Sequence, residues 1–342
     1  MLPWIPVLAW GYSAAPAGPV LPSAQDTWIQ IETAHFTLIS NAPEKRAREL
    51  GNSLERFRAV LTAFHANFRF DSPQPTYILI FKSDQSYAPY KLRVNGKLAE
   101  NSAMFSPGPD INYITMTASW NEDPRPTIYH EFTHQFLRNN LSVIPAWFNE
   151  GLAEYYSTFT GDDKRASVGR PVDNHVLWLQ TNTPIPLKQL FEQEYNPDFY
   201  TEVTRGGTFY AQSWALVHYL LANGPKLQDQ TGKFLDGIRE ELPVEQAFQA
   251  AFHTSYEALE KDLRAYIAAT RFNYTQITFT DKFRVDTRAT VKPMSRAEAL
   301  ARLGDYLFHL QEERLPDAES HFAEALRLEP GNGIALMGLG RL

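Results

Sequence analysis

The chain contains no cysteine. That excludes disulfide bridges, thiol catalysis and cysteine-bound metals, and it leaves histidine and carboxylate side chains as the strong metal ligands. A clustered basic run is also missing and the formal charge is −7, so a polyanion finds nothing to neutralise it and no nucleic-acid partner is expected. No apolar run reaches the length needed to cross a bilayer, so no transmembrane helix is expected. No lysine or arginine precedes Lys45. The leader, residues 1–25, therefore lacks the charged start of a secretory signal, although its first part offers a proline-interrupted apolar stretch and then small residues of the Ala-x-Ala kind. Export to a periplasmic or extracellular space is the expectation, and a cytoplasmic chain with a disordered leader is the alternative. Against these absences, 342 residues that are 44% hydrophobic suffice for two globular domains.

The most informative stretch is His130-Glu131-Phe132-Thr133-His134. On a helix, positions i and i+4 share a face, so both imidazoles can reach one metal ion. Glu131 falls beside that face, which leaves its carboxylate free to take a proton from a water on the metal. The bland alternative is a helix whose two histidines cap neighbours or titrate at the surface. A catalytic site of this type needs a third protein ligand. Glu150 follows sixteen residues after His134, within Pro145-Ala-Trp-Phe-Asn-Glu-Gly-Leu-Ala-Glu-Tyr-Tyr. Pro145 suits the start of a second helix, which can turn back to offer Glu150 to the metal. One turn later, Glu154 is placed to accept the spare N–H of a ligating histidine. The competing reading is a solvated acidic stripe, and the aromatic neighbours Trp147, Phe148, Tyr155 and Tyr156 weigh against it, because buried carboxylates need partners.

His-Glu-Phe-Thr-His together with Trp-Phe-Asn-Glu-Gly-Leu-Ala-Glu-Tyr resembles the gluzincin metallopeptidases, the group of thermolysin and the zinc aminopeptidases, and most closely the peptidase-MA-like proteins of bacteria. The resemblance implies Zn2+ as cofactor, His130, His134 and Glu150 as its ligands, Glu131 as general base and a peptide or protein as substrate. Two departures stand out: the spacing from His134 to Glu150 is slightly short, and the acid one turn after the third ligand is Glu154 rather than an aspartate. Tyr210, where Gly206-Gly207 gives way to a helical stretch, looks like the tyrosine that stabilises the oxyanion in zinc aminopeptidases. As one of sixteen tyrosines it is equally readable as a packing residue. Arg205 is a weaker candidate for a substrate carboxylate. The other histidines, at 35, 65, 175, 218, 253, 309 and 321, show no pattern and are read as ordinary.

The expected fold class is α+β, with a zincin-like domain over 26–270 made of a small N-terminal sheet and a helical C-terminal part. Trp28 to Glu32 and His35 to Ser40 read as a strand pair, Pro43 to Phe68 as a helix and Tyr77 to Phe81 as a buried strand. Met104-Phe105 and Ile111 to Met116 read as a hairpin. In enzymes of the resembled kind the edge strand before the metal helix pairs with extended substrate, and Ile111 to Met116 is expected in that role. Residues 271–293 read as a connecting segment with one or two strands. Over 294–342, Leu303-Gly304, Ala318, Phe322, Ala325 and Pro330 match the small and large positions of a tetratricopeptide repeat, and Leu339-Gly340 falls where a second would begin. Such a repeat is expected to receive a protein partner; a plain helical hairpin is the alternative. The readings of function are an active zinc peptidase, a non-cutting scaffold of the same fold, and a zinc hydrolase of a non-peptide bond.

Overall fold

The computed structural model describes residues 20–65, 68–94, 97–99, 101–119, 123–194, 203–269 and 271–342. The apolar leader sequence up to residue 19 and the side chain of Arg205 lie outside the described residues. The chain divides into two compact units, one of Asp26–Ser295 and one of Met1–Gln25 with Arg296–Leu342.

The larger unit is mixed α+β. Alternation in β1 (Trp28–Glu32) and β2 (Thr37–Ser40) forms an antiparallel pair. Helix α1 (Glu44–Phe64) buries Ala47, Leu50, Leu54, Phe57 and Leu61 along one stripe, the spacing of a helix lying on a sheet. β3 (Thr76–Phe81) follows, then the single turn α2 (Asp84–Tyr87) and the two-residue strands β4 (Arg93–Val94) and β5 (Lys97–Leu98). The hairpin of β6 (Ala103–Ser106) and β7 (Asn112–Thr117) leads to α3 (Arg125–Asn140) and α4 (Ala146–Ser157). Short strands β8 (Thr160–Gly161) and β9 (Arg165–Val168) come next. The helical part comprises α5 (Asp173–Thr181), α6 (Leu187–Glu192), α7 (Val203–Ala222), α8 (Pro225–Arg239), α9 (Val244–Phe252) and α10 (Tyr256–Ala269).

Residues 271–293 belong to this unit: β10 (Thr275–Thr278) pairs with β9, and β11 (Thr290–Met294) pairs with β1. The six-stranded sheet has the order β11-β1-β2-β3-β7-β6. Pro293 sits in the outer strand β11, where a missing N–H costs no ladder bond.

This order corrects the expectation for Ile111 to Met116. β7 lies inside the sheet, parallel to β3 and antiparallel to β6, and every one of its residues is buried. With β3 paired on one side and β6 on the other, β7 has no free backbone edge to offer a peptide. The free edge belongs to β6, Ala103–Ser106.

The smaller unit is a set of three helices, α11 (Arg296–Leu310), α12 (Leu315–Leu328) and α13 (Gly333–Arg341). The Arg296 guanidinium donates to the carbonyls of Pro22 and Ser23, which ties residues 22–23 to the start of α11. Phe322 is fully buried, and a Cβ on Gly338 would lie 2.3 Å from its ring, so α13 approaches at a distance only glycine allows. His321 is 1% exposed and donates from Nδ1 to the Asp317 carbonyl at 2.7 Å. Burial holds its pKa down at about 4, against an ordinary value of 6.5. Between those values the unfolded chain binds the proton and the folded chain does not, so stability is complete above about pH 6.5 and declines as pH falls through the window. The loss is about 3 kcal/mol by pH 4. Amide exchange of α11 and α12, corrected for intrinsic rates, is expected to report that loss in the wild type and much less of it in His321→Leu; equal losses would contradict the assignment.

Candidate metal centre

Helix α3 has two faces because its sequence does. Ile128, Tyr129, Phe132 and Phe136 are buried, with Phe132 set edge-on to Phe36 and Phe57. Burying a phenylalanine of this kind contributes about 2–3 kcal/mol and fixes the helix rotation. The opposite stripe, one residue per turn, carries His130, His134 and Arg138 into a cleft of about 1240 Å³. Helix α4 arrives after a turn of five residues, 141–145, and Pro145 precedes its first residue, Ala146. Trp147 is fully buried against Phe148 and Phe191 and anchors α4. Gly151 lets α7 come so near that an added Cβ would stand 2.3 Å from the Ser213 carbonyl oxygen. The contact fixes α4 along its length, one residue from Glu150.

These constraints bring the three expected ligands together. Glu150 Oε2 lies 3.3 Å from His130 Nε2 and 3.6 Å from His134 Nε2, and the donor atoms of the three residues all fall within 4.8 Å of one another. Ligands bound tetrahedrally at about 2.0–2.2 Å stand about 3.3–3.6 Å apart. Two imidazole nitrogens and a carboxylate oxygen at this spacing could hold a divalent metal ion.

The outer nitrogens of both rings are engaged, each by a residue of α4. His130 Nδ1 stands 3.4 Å from Glu154 Oε1, and His134 Nδ1 lies 3.0 Å from Asn149 Oδ1. Each contact favours Nδ1–H as donor and leaves Nε2 lone pairs directed at the shared point. Glu154 therefore stands beside the outer nitrogen of His130. The partner of His134, Asn149, is expected from the sequence only as part of the motif around Glu150, and the reading of His175 as an ordinary histidine is corrected. That residue, on α5, brings Nε2 to 3.2 Å from Glu154 Oε2 and lines the same cleft. Asn149 was legible in principle as the i−1 neighbour of a ligand; a lone histidine twenty-five residues beyond Glu150 carried no signal.

Electrostatics follow from enclosing these groups. Burial alone depresses His130, but the hydrogen bond with Glu150 and the charges of Glu154 and Glu131 outweigh it and raise its pKa to about 9. Burial raises the Glu131 carboxyl despite the pull of His130 and His134. Burial pushes Glu154 upward too, yet the hydrogen bond to His175 and the charges of His130 and His175 hold it below the usual carboxylate range. Three carboxylates thus create a field that favours positive charge at the point where the ligands converge. The Phe105 backbone N–H donates to Glu131, which places the general-base candidate against the edge strand. Tyr210 lines the cleft from α7, and Gly207 of the same helix lies beside it.

Removing His175 frees one oxygen of Glu154 and loosens its hold on His130. His175→Ala is expected to weaken metal binding about tenfold, within the range for groups that support a ligand. A competition titration with a chromogenic chelator reads this directly, and unchanged affinity would sever His175 from the site.

Residues 125–245 match a family model described as a protein of unknown function (DUF1570). The match begins at the first residue of α3 and takes in His130, Glu131, His134, Glu150, Glu154 and Tyr210. No curated protein matches the chain significantly.

Proposed function

We propose that the chain is a zinc-dependent peptidase, with His130, His134 and Glu150 as the zinc ligands and Glu131 as the general base. The observation that carries this reading is the convergence of two Nε2 atoms on Glu150 Oε2 at 3.3 and 3.6 Å, with a second carboxylate, that of Glu131, beside the face and not on it. Zinc held there lowers the pKa of a water to near 7 and polarises a carbonyl.

The protein's own groups then divide the remaining work. Glu131, hydrogen-bonded to Phe105 N–H, accepts the proton of the attacking water and returns it to the departing amine. Its burial-raised pKa moves it toward the value an acid–base group needs near neutrality. Asn149 and Glu154 hold the imidazoles in the tautomer that presents Nε2 inward. Tyr210 stabilises the oxyanion by donating its hydroxyl proton into a hydrogen bond. An extended peptide lies along β6, the free edge beside the cleft, where backbone pairing gives affinity without demanding one sequence. The gluzincin likeness supports this allocation of roles. The helices of the smaller unit, read as a tetratricopeptide repeat, receive a protein partner.

Metal analysis combined with a peptide-library digest tests the reading. The wild type is expected to carry about one zinc per chain and to cut peptides near neutral pH. Glu131→Gln should retain the zinc while kcat falls at least about 10³-fold. Zinc with no cleavage of any peptide would move the chain to a scaffold, and ester or amide turnover alone would move it to non-peptide hydrolysis.

A further inference from the structure

On the peptidase reading, the charges that line the cleft decide which peptides it prefers. Arg138 is the only arginine or lysine among the described residues that line it. It continues the stripe of His130 and His134 by one more turn, so its Cα lies about 6 Å along the helix from that of His134 and about 12 Å from that of His130. Arg138 is exposed and, among the described residues, has no ion pair or hydrogen bond from its side chain. Next to it, Asn139 also lines the cleft, and its Nδ2 is shielded from water with no hydrogen-bond partner among the described residues. Two donors without acceptors at one end of a substrate cleft call for an anion. Because a guanidinium matches a carboxylate in shape as well as charge, the peptide group that fits is an acidic one.

The direction of the peptide follows from the sheet. Gln135 Nε2 donates to Thr76 Oγ1 at 3.0 Å, Thr76 pairs with Asn112, and Tyr113 pairs with Ser106 at the end of β6. The C-terminal end of β6 therefore lies beside the C-terminal half of α3, and strand and helix run in the same sense. An extended peptide that pairs antiparallel to β6, the more stable of the two ladders, sets its N-terminal half toward Arg138. At about 3.3 Å per extended residue, the 6–12 Å offset corresponds to about two to four residues.

We propose that Arg138, helped by Asn139, forms a subsite for an aspartate or glutamate side chain two to four residues on the N-terminal side of the scissile bond. No other lysine or arginine lines the cleft among the described residues, so this contact sets the charge preference on the N-terminal side of the scissile bond.

The test uses the full zinc-loaded chain and a peptide cut in the library digest, synthesised as matched pairs. One pair carries Glu or Gln three residues before the cut, a second carries them three residues after it, and a third has a free or amidated C-terminus. The first pair is expected to differ at least about fivefold in kcat/KM, chiefly through KM, and the other two by little. In Arg138→Gln the first ratio should fall to about one, and in Arg138→Glu a lysine at that position should become the preferred residue. Binding of the same pairs to zinc-loaded Glu131→Gln, followed by fluorescence anisotropy, should reproduce the ranking without turnover. A preference that survives Arg138→Gln, or one for the C-terminal carboxylate, overturns the subsite. Cleavage of no peptide while the anisotropy ranking holds overturns the peptidase reading and leaves the subsite standing.

Discussion

The crossing of α3 by α4 is the contact on which the rest depends, because it sets one carboxylate oxygen between two imidazoles. Neither helix could hold a metal ion alone: α3 supplies two of the candidate ligands and α4 the third. Their approach is enforced from outside the site. The aromatic stripe of α3 locks into α1 and the sheet through Phe132, Phe57 and Phe36. On the other side, Trp147 and the bare backbone of Gly151 lock α4 into the helical part. A shift of one ångström in either packing would separate Glu150 from His130 by more than a coordination sphere tolerates. The large apolar core thus works as a vice for three small polar contacts.

Enclosure gives those contacts their chemical meaning. Glu150 and Glu131 are nearly inaccessible to solvent, at 3% and 7% exposure. Burying ionised carboxylates is costly unless opposite charge compensates them. The structure meets that demand in part with histidine: a proton is retained on His130 far above its ordinary range, and His175 draws Glu154 toward its ionised form. The same field that retains the proton attracts a divalent cation, which satisfies the carboxylates more fully and frees both Nε2 lone pairs. Glu154, shared between His130 and His175, links the ligand set to α5, an element far away in sequence.

Local pattern made the centre readable and non-local topology hid its surroundings. His130, Glu131 and His134 are fixed by helical periodicity alone, and Glu150 needed only a short turn and a second helix. Strands β1, β2, β3, β6 and β7 were visible as alternation or as apolar runs for the same reason. Strand order is set by pairing between distant segments. Thus β7, readable as a strand, was placed at the edge when its pairing with β3 and β6 puts it inside, with β6 outermost. Likewise the residues after 271 gave a strand pattern, while their partners, β9 and β1, lie more than a hundred and more than two hundred and fifty residues earlier. His175 is the extreme case: its role exists only because α5 packs on α7 beside the cleft, and nothing in its neighbours announces it.

One set of hydrogen bonds connects the sheet, the metal helix and the open edge. Asn112 Nδ2 donates to Ser72 Oγ, its backbone N–H donates to the Pro75 carbonyl, and Gln135 Nε2 reaches Thr76 Oγ1 from α3. The Asn112 and Gln135 side chains are buried, so the bonds they make resist replacement by water. They fix the angle at which α3 leaves the sheet and keep its ligand stripe alongside β6. Phe105 completes the arrangement: its N–H, turned away from β7, meets Glu131. The strand that would hold a peptide is thereby bonded to the residue that would move its proton, and substrate position and acid–base chemistry share one frame.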